Sequence, residues 1–469
     1  MKRRTKIVCT LGPAVDSQGH ISNLVDAGMN VARLNCSHGD WSAKHQWVDW
    51  IRKHDTETRH IALLADLQGP KFRIGTFEGG GIDVHAGQSL TVGREPGSII
   101  QVPGDEIFEA MQSGARVLMG DGDVELKIGS RSGEQFEAKV VNGGRIKSRQ
   151  GITLVNRAFA VPALTDKDRE DVYEAAKANV DFIALSYVRH AADLRELRRL
   201  VDQYDPSIRL CAKIETKEAL RDIDDILKVA DLIMVARGDL GLQMDLEDVP
   251  MAQKHIIARC NRAGKPVITA TQMLESMITN ARPTRAEATD IANAILDGTD
   301  AVMLSGETAA GAYPIEAVRT MHRIAEKAEA AFDHAERLRE WQPTAQGAEL
   351  LTEAVAHGAV QLAQTVRAKA IVTTSTSGLT PRMVSRFRPK CPIYCATWND
   401  RTKAHLSIQW GVETVRVDLP PSTDEVMHAA VNAFIRHKKL KVGDTIIVTA
   451  GVPAGQVGNT NLIYVETVK

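Results

Sequence analysis

Short apolar runs alternate with longer segments of helical periodicity along most of the chain. The runs are centred near residues 7, 32, 63, 183, 210, 233, 268 and 302, and each has the length and composition of a buried parallel strand. Polar helical segments fill the intervals, with stop signals such as Gly28 at their ends. Eight such units in roughly 250 residues predict an α/β fold, a (β/α)8 or TIM barrel.

The alternation stops between the third and fourth runs. From residue 70 to 158 the chain has alternating Val, Ile and Phe positions and frequent turn signals, among them GGG at 79–81 and GDGD at 120–123. This pattern predicts an inserted all-β lid domain. A polar linker near 341–344 then leads into a smaller α/β domain. The predicted boundaries are 1–69 and 159–340 for the barrel, 70–158 for the lid and 345–469 for the C-terminal α/β domain.

The bulk composition argues against several classes of protein. The 469 residues carry a formal net charge of −1, so charge favours neither nucleic acid nor an anionic membrane as a partner. No apolar run approaches the length of about 18 residues that a membrane-spanning helix needs, and the basic start is followed by too short an apolar run for a secretion signal. The six cysteines are scattered and lack zinc-ligand spacing. We therefore expect a cytoplasmic protein.

Charged residues follow two neighbouring strands at the point where each strand ends. Lys213 and Glu215 follow the fifth run, and Arg237, Gly238 and Asp239 follow the sixth. Ligands bind at the carboxyl ends of barrel strands, and those ends also carry Arg33, Asn35, Ser37, His38, Asp66, Lys71, Arg73, Ser186, Thr271, Gln272, Ser305 and Glu307. Two carboxylates among cations and hydroxyls indicate a hard cation such as Mg²⁺ and an anionic substrate. The pattern alone leaves open phosphoryl transfer, an aldol or enolate reaction, and ordinary strand-end salt bridges.

Several long segments of the sequence resemble those of a known family, and this resemblance distinguishes between these reactions. They are TKIVCTLGP (5–13), ARLNCSHG (32–39), ADLQGPKFRIG (65–75), PALTDKD (162–168), AKIET (212–216), MVARGDLG (234–241), VITATQMLESMI (267–278), RPTRAEATDIANAILDGTDAVMLSGETAAGAYP (282–314) and TAGVPAGQVGNTN (449–461). With these segments in this order, the chain resembles the pyruvate kinases, of the bacterial type, over nearly its whole length. The resemblance implies that the protein converts phosphoenolpyruvate and ADP to pyruvate and ATP in glycolysis.

The resemblance also implies roles for individual residues. Glu215 and Asp239 would hold Mg²⁺ or Mn²⁺, and Lys213 would stabilise the enolate and the moving phosphoryl group. The residues expected to bind substrate are Lys213, Gly238, Asp239, Thr271 and Arg33, and Thr271, Arg33 and Arg73 join Lys213 as catalytic residues. The nucleotide side would comprise Pro13, Arg33, His38 and Arg149, and the family's monovalent-cation site falls on Asn35, Ser37, Asp66 and the Leu67 carbonyl. Asp121 matches the inward-facing acid of the family's lid.

The sequence departs from the family pattern at several of these positions. Lys71 stands where many members carry Glu, and Leu67 where they carry Thr. In the resemblance a lysine here supplies the positive charge internally, so we expect activity without K⁺. Gln150 replaces a lysine at the base of the lid, Gln243 replaces a glutamate, and the lid hinge reads GITLVN at 151–156.

The C-terminal domain contains a hydroxyl-rich loop after a predicted strand at 369–373. Its residues are Thr373, Thr374, Ser375, Thr376 and Ser377. A helix with Arg382, Arg386 and Arg388 follows, and hydroxyls, a helix N-terminus and arginines together indicate an anion site. In the family the matching loop binds phosphorylated effectors, and Trp398, Arg401 and the glycine loop 451–458 are expected to border it. The resemblance implies allosteric activation and a homotetramer, but leaves the effector unidentified.

Two alternative functions belong to other classes. One is a catalytically weakened paralogue that senses phosphorylated metabolites, which the replacements at Gln150 and Gln243 would favour. The other is a barrel lyase or aldolase that acts on an oxoacid through Mg²⁺. The lid, the phosphate-side arginines and the effector domain argue against the second.

Overall fold

The computed structural model describes residues 3–102, 104–120, 122–155, 162–339, 341–343, 347–418, 423–451 and 460–469. Three expectations therefore fall wholly or partly outside the described residues. They are the lid acid Asp121, the last hinge residue Asn156, and the glycine loop beyond Gly451.

Eight parallel strands close into a barrel. Numbered 1 to 8 along the chain, they are Lys6–Thr10, Val31–Asn35, Ala62–Asp66, Phe182–Leu185, Arg209–Ile214, Leu232–Ala236, Val267–Ala270 and Ala301–Leu304. Each pairs with the next, and the barrel closes where strand 1 pairs with strand 8, with Lys6 opposite Ala301. The predicted barrel is confirmed, with every strand where the apolar runs placed it.

Helices follow the barrel strands along the chain. Their bounds are Gln18–Ala27, Trp41–Arg52, Asp166–Lys177, Ala191–Val201, Lys217–Arg221, Ile223–Val229, Arg237–Gln243, Val249–Arg262, Arg285–Asp297, Gly306–Ala309, Pro314–Ala330 and His334–Arg339. Thr284 caps its helix reciprocally with Glu287, as the sequence spacing predicts. The helical pattern after residue 314 forms two helices and not one, because the Asp333 carboxylate accepts the N–H groups of Ala335 and Glu336 and starts a new helix there.

The insertion between strands 3 and 4 has its own apolar core. Its strands are Gly81–Val84, Ser89–Gly93, Ile100–Gln101, Arg116–Met119, Val124–Ser132, Gln135–Asn142, Gly144–Lys147 and Ile152–Leu154. Among the described residues of the insertion, the α-helix Asp105–Ala110 departs from the all-β expectation. Leu118 and Val155 of the insertion pack against Leu242, which follows strand 6. The insertion therefore contacts the barrel at the carboxyl ends of its strands.

The C-terminal part is a five-stranded sheet flanked by helices. The strands are Ala370–Thr374, Ile393–Thr397, Val412–Arg416, Thr445–Ala450 and Leu462–Thr467, and the helices are Gly347–Thr365, Leu379–Ser385, Asp400–His405 and Thr423–Arg436. The last strand pairs antiparallel with its neighbour, and the other strand pairs are parallel. Arg388 lies 2.8 Å from Asp300, the residue before strand 8. This domain therefore packs against the amino ends of the barrel strands, opposite the predicted site.

Within the described part of the chain, none of the helices combines the length and apolarity needed to cross a membrane.

Candidate active site

Lys213 and its carboxylate partners lie at the carboxyl ends of strands 3 and 5. Lys213 Nζ lies 2.8 Å from Glu215 Oε1 and 3.3 Å from Asp66 Oδ1, and it donates a hydrogen bond of 2.7 Å to Ser186 Oγ. Burial alone would lower the pKa of Lys213, but the carboxylates of Asp66, Glu215 and Asp239 outweigh it and hold that pKa above its ordinary value. The site therefore contains a fixed ammonium ion that stays charged.

Asp66 connects this ammonium ion to an arginine on strand 2. Arg33 Nε lies 2.6 Å from Asp66 Oδ2, and Arg33 Nη1 donates to Thr10 Oγ1 at 3.0 Å. Burial opposes ionisation of Asp66, but the charges of Lys213 and Arg33 prevail and hold its pKa below the ordinary value. Asp66 therefore orients both cations toward the same end of the barrel.

Tyr187 connects the two carboxylates Glu215 and Asp239. The Glu215 carboxylate accepts the Tyr187 N–H at 2.6 Å, and the Tyr187 hydroxyl lies 3.5 Å from Asp239 Oδ1. Lys71 Nζ is 3.6 Å from the same Asp239 oxygen. Burial raises the pKa of Glu215 despite the Lys213 charge, and the Asp239 carboxylate adds to the rise. Two carboxylates near enough to influence each other are an arrangement that a cation would stabilise.

The oxygen atoms available at this point fit a hard divalent cation. Glu215 Oε1 is buried and accepts no well-directed hydrogen bond from the described residues, although Lys213 is close. Carboxylate oxygens are the ligands that Mg²⁺ prefers, and Mg²⁺ in phosphoryl-transfer sites uses one or two carboxylates, with substrate and water completing its shell. Among the described residues, no group of three or more His, Cys, Asp or Glu side chains is arranged to hold a metal. Glu215 and Asp239 are therefore the carboxylates at this point that have oxygens suited to a divalent ion.

Thr271 follows strand 7, and its hydroxyl lies beside Gly238. Its Oγ1 accepts the Gly238 N–H at 2.8 Å and donates to the Ala270 carbonyl at 2.6 Å. The resemblance implies that Gly238 binds substrate, but its N–H group already has a partner in Thr271. Thr271 has a positive φ of 68° and Gln272 one of 54°, so the chain turns sharply where it presents the hydroxyl.

Cations and a histidine lie together on the lid side of the site. Arg73 Nη1 donates to the Arg149 carbonyl at 3.1 Å, and Arg149 has a positive φ of 58°. Burial and the nearby charges of Arg73 and Arg33 lower the pKa of His38, so its imidazole is neutral near pH 7. Pro13 begins a single 3₁₀ turn after strand 1. Gln150, at the base of the lid, accepts the Lys147 N–H with its side-chain carbonyl.

Three groups of the predicted monovalent-cation site, those of Asn35, Asp66 and Leu67, have protein partners. Asn35 Oδ1 accepts the Ser37 N–H at 3.0 Å, and the Leu67 carbonyl accepts the Ser186 hydroxyl at 2.7 Å. Asp66 is paired with Arg33 and Lys213, as described above.

Two residues that the sequence analysis grouped with this cluster, because they follow barrel strands, lie outside it. The Glu307 carboxylate accepts the N–H groups of Leu274 and Ser305, so it supports the loops after strands 7 and 8. Arg237 is paired with Asp290 at 2.6 Å behind Thr271. Sequence reasoning did not place Tyr187 in the site, because its site contacts depend on a positive φ of 54° that periodicity does not signal.

In the C-terminal domain, Thr373, Thr374 and Ser375 are buried. The Ser375 hydroxyl accepts the Gly378 N–H at 2.9 Å, and the Thr376 carbonyl accepts the Thr402 hydroxyl at 2.6 Å. The Ser377 side chain, on the same loop, is partly exposed. Trp398 is partly buried against the apolar core of this domain.

The arginines near this loop have other partners, so the predicted arginine contribution to an anion site is wrong for Arg386 and Arg388. Arg386 pairs with the buried Glu353 at 2.8 Å, and Arg388 pairs with the buried Asp300. The Arg401 side chain pairs with Asp205 and donates to the Val180 carbonyl, and so contacts the barrel. These arginines are close to the loop in sequence, but the packing of the domains pairs their side chains with groups elsewhere.

Comparisons with known proteins cover nearly the whole chain. A family model described as pyruvate kinase, barrel domain, matches residues 2–318, and one described as pyruvate kinase, alpha/beta domain, matches residues 353–466. Proteins named pyruvate kinase from Geobacillus stearothermophilus, Sporosarcina psychrophila and Bacillus licheniformis are 43%, 40% and 42% identical over 100%, 99% and 99% of this chain. The matches cover 81%, 80% and 80% of those proteins.

Proposed function

The chain belongs to the pyruvate kinase family, and on that premise we propose that its barrel site transfers the phosphoryl group of phosphoenolpyruvate to ADP with the help of Mg²⁺ or Mn²⁺. The observation that carries the proposal is the Lys213 ammonium ion, fixed between Asp66 and Glu215 and close to Asp239. A buried cation beside two carboxylates suits a reaction in which negative charge moves between substrates.

Glu215 and Asp239 are the residues that would hold the divalent ion. When bound, the ion would neutralise the phosphoryl oxygens and orient the two substrates. The residues of the chain complete the site: Lys71 and the Tyr187 hydroxyl lie beside Asp239, and Arg33 and Arg73 supply charges that suit phosphate oxygens. His38, Pro13 and Arg149 are proposed to lie beside the nucleotide.

The reaction moves charge toward Lys213. A β-phosphate oxygen of ADP bonds to the phosphorus of phosphoenolpyruvate, and the bond from that phosphorus to the enol oxygen breaks. The Lys213 ammonium ion stabilises the enolate oxygen that results. A proton then adds to the methylene carbon and gives pyruvate, and Thr271 is proposed to assist this step and to bind the substrate carboxylate. Gly238 can bind that carboxylate only if its N–H exchanges its present partner, Thr271.

We further propose that turnover does not require K⁺. Lys71 brings a positive charge to Asp239, and the Asn35, Asp66 and Leu67 groups of the family's cation site already have partners within the chain. Both features reduce the need for a bound monovalent cation.

For the C-terminal domain we propose binding of a phosphorylated metabolite at the 373–377 loop, which activates the enzyme. Support comes from the hydroxyls at the end of a parallel strand followed by a helix N-terminus. The ligand would be held by hydroxyl and backbone groups, since Arg386, Arg388 and Arg401 have other partners. The family also supports a cytoplasmic homotetramer acting in glycolysis, and light scattering tests that assembly.

One coupled assay tests the catalytic proposal. Phosphoenolpyruvate, ADP and Mg²⁺ are supplied, pyruvate is followed through lactate dehydrogenase, and K⁺ is replaced by tetramethylammonium in a parallel series. We expect comparable turnover in both series and an increase with a sugar phosphate or a nucleoside monophosphate. Negligible turnover in both would reject the catalytic proposal and favour a sensor of phosphorylated metabolites. Turnover only with K⁺ would reject the role given to Lys71.

A further inference from the structure

Two consecutive residues at the end of strand 7 adopt a conformation that L-amino acids rarely adopt. Thr271 has φ 68° and Gln272 has φ 54°, and neither is glycine. A β-branched residue at positive φ is a genuine outlier. Such a conformation persists only when surrounding contacts hold it in place. The contacts that hold Thr271 therefore bear on where its hydroxyl points.

The guanidinium group of Arg237 makes those contacts. Arg237 Nη2 donates to the Thr271 carbonyl at 2.6 Å, and Arg237 Nε donates to the Ala270 carbonyl at 3.3 Å. The planar group thus binds two successive carbonyls on either side of the strained residue. A lysine ammonium has no such fork and cannot reproduce the paired geometry.

Arg237 is itself held in place by Asp290 and Gln253. Its Nη1 lies 2.6 Å from Asp290 Oδ2 and 3.3 Å from Gln253 Oε1, and the arginine is only 9% exposed. All three of its nitrogens therefore have partners in the chain. Arg237 acts on the site through Thr271.

We propose that Arg237 is a positioning residue for Thr271. Arg237, held by Asp290 and Gln253, fixes the left-handed backbone at 271 and 272 and thereby sets the direction of the Thr271 hydroxyl. That hydroxyl is further guided by the Gly238 N–H at 2.8 Å. The inference rests on the proposed function, in which Thr271 assists the carboxylate and proton steps.

The test compares Arg237→Lys with a matched control, Arg52→Lys. Arg52 also donates to two carbonyls, those of Ile61 and Asn179, and pairs with Asp181, but it does so at the amino ends of the strands. Wild-type turnover is measured first, because its absence would reject the proposed function and this inference with it, whereas an active wild type lets the variants test Arg237 alone.

We expect Arg237→Lys to lower kcat by about 100-fold, the size of effect that a small misplacement of a reacting group produces. The KM for ADP should change little, because the nucleotide side does not contact Arg237. Arg52→Lys should lower the urea midpoint to a similar degree while kcat is retained. Asp290→Asn should lower kcat in the same direction and by less, because the guanidinium group remains but is held more weakly.

Rescue separates positioning from a general structural role. Glycine adopts positive φ readily, so adding Gln272→Gly to Arg237→Lys should recover part of the lost kcat. The proposal is overturned if Arg237→Lys keeps wild-type kcat, if its kcat loss matches that of Arg52→Lys at equal stability loss, or if the added glycine recovers nothing.

Discussion

Replacing Lys213 by methionine tests the electrostatic centre of the site most directly. Methionine keeps much of the apolar stem of lysine and removes the ammonium ion. In the wild type that ion lies 2.8 Å from Glu215 and 3.3 Å from Asp66, and both carboxylates are about 1% exposed. The substitution therefore leaves two buried carboxylates without their shared cation.

The expected magnitude follows from what each carboxylate keeps. Removing one partner of a buried ion pair costs about 3–5 kcal/mol of unfolding free energy. Asp66 keeps Arg33 at 2.6 Å and Glu215 keeps the Tyr187 N–H at 2.6 Å, so we expect a loss near the lower end, about 3 kcal/mol. Loss of one neutral donor to a developing oxyanion costs about 10²–10³ in kcat. Loss of a full charge should lower kcat by at least about 10³.

Two measurements on two variants separate stability from chemistry. Urea unfolding gives the free energy, and the lactate dehydrogenase-coupled assay gives kcat. Adding Glu215→Gln to Lys213→Met removes an uncompensated charge, so the double variant should regain stability and remain inactive. If Lys213→Met keeps a kcat near that of the wild type, or if it loses no stability, the assignment of the centre is refuted.

Three further predictions follow from other contacts. Lys71→Glu should lower kcat by about tenfold or more in K⁺-free buffer and regain it when K⁺ is added, since a carboxylate replaces the ammonium group 3.6 Å from Asp239; equal activity with and without K⁺ would contradict this. Burial lowers the pKa of His405 to about 4 from 6.5, so the neutral ring stabilises the fold fully above pH 6.5 and that stability is lost as pH falls toward 4. Between pH 7 and 4, wild type should lose about 2 kcal/mol more unfolding free energy than His405→Phe, allowing for partial exposure, and parallel urea-unfolding curves would refute it. Arg388→Met should cost about 3–5 kcal/mol because Asp300 stays buried without its cation, and an unchanged urea midpoint would count against the pairing.

Local pattern predicted the elements of the barrel well. The eight strands, the capped helix after Thr284 and the lid sheet all follow from periodicity and turn residues close together in the chain. The helix Asp400–His405 and the break before His334 were missed. Each depends on a capping side chain, Asn399 or Asp333, within a stretch of weak periodicity.

The direction of the charged side chains was harder to predict. Because Glu307 and Arg237 follow barrel strands, the sequence analysis grouped them with Lys213. In the structure both bind loop backbone outside the central cluster. The arginines after Gly378 predicted an anion site from the sequence, yet the Arg388 side chain pairs with Asp300 of the barrel. Sequence spacing says which end of a strand a residue occupies and not which partner its side chain reaches.

The sequence by itself determined the (β/α)8 barrel, the lid insertion and the presence of cations and carboxylates at the strand ends, because strand and helix periods are local properties of the chain. Only the tertiary structure decided that Lys213 lies between Asp66 and Glu215 and that Arg237 holds Thr271 in a left-handed turn. Asp66 and Lys213 are far apart in the chain and meet because the closed barrel brings the ends of strands 3 and 5 to one rim. Barrel closure and side-chain packing fix such contacts, and no local pattern encodes them.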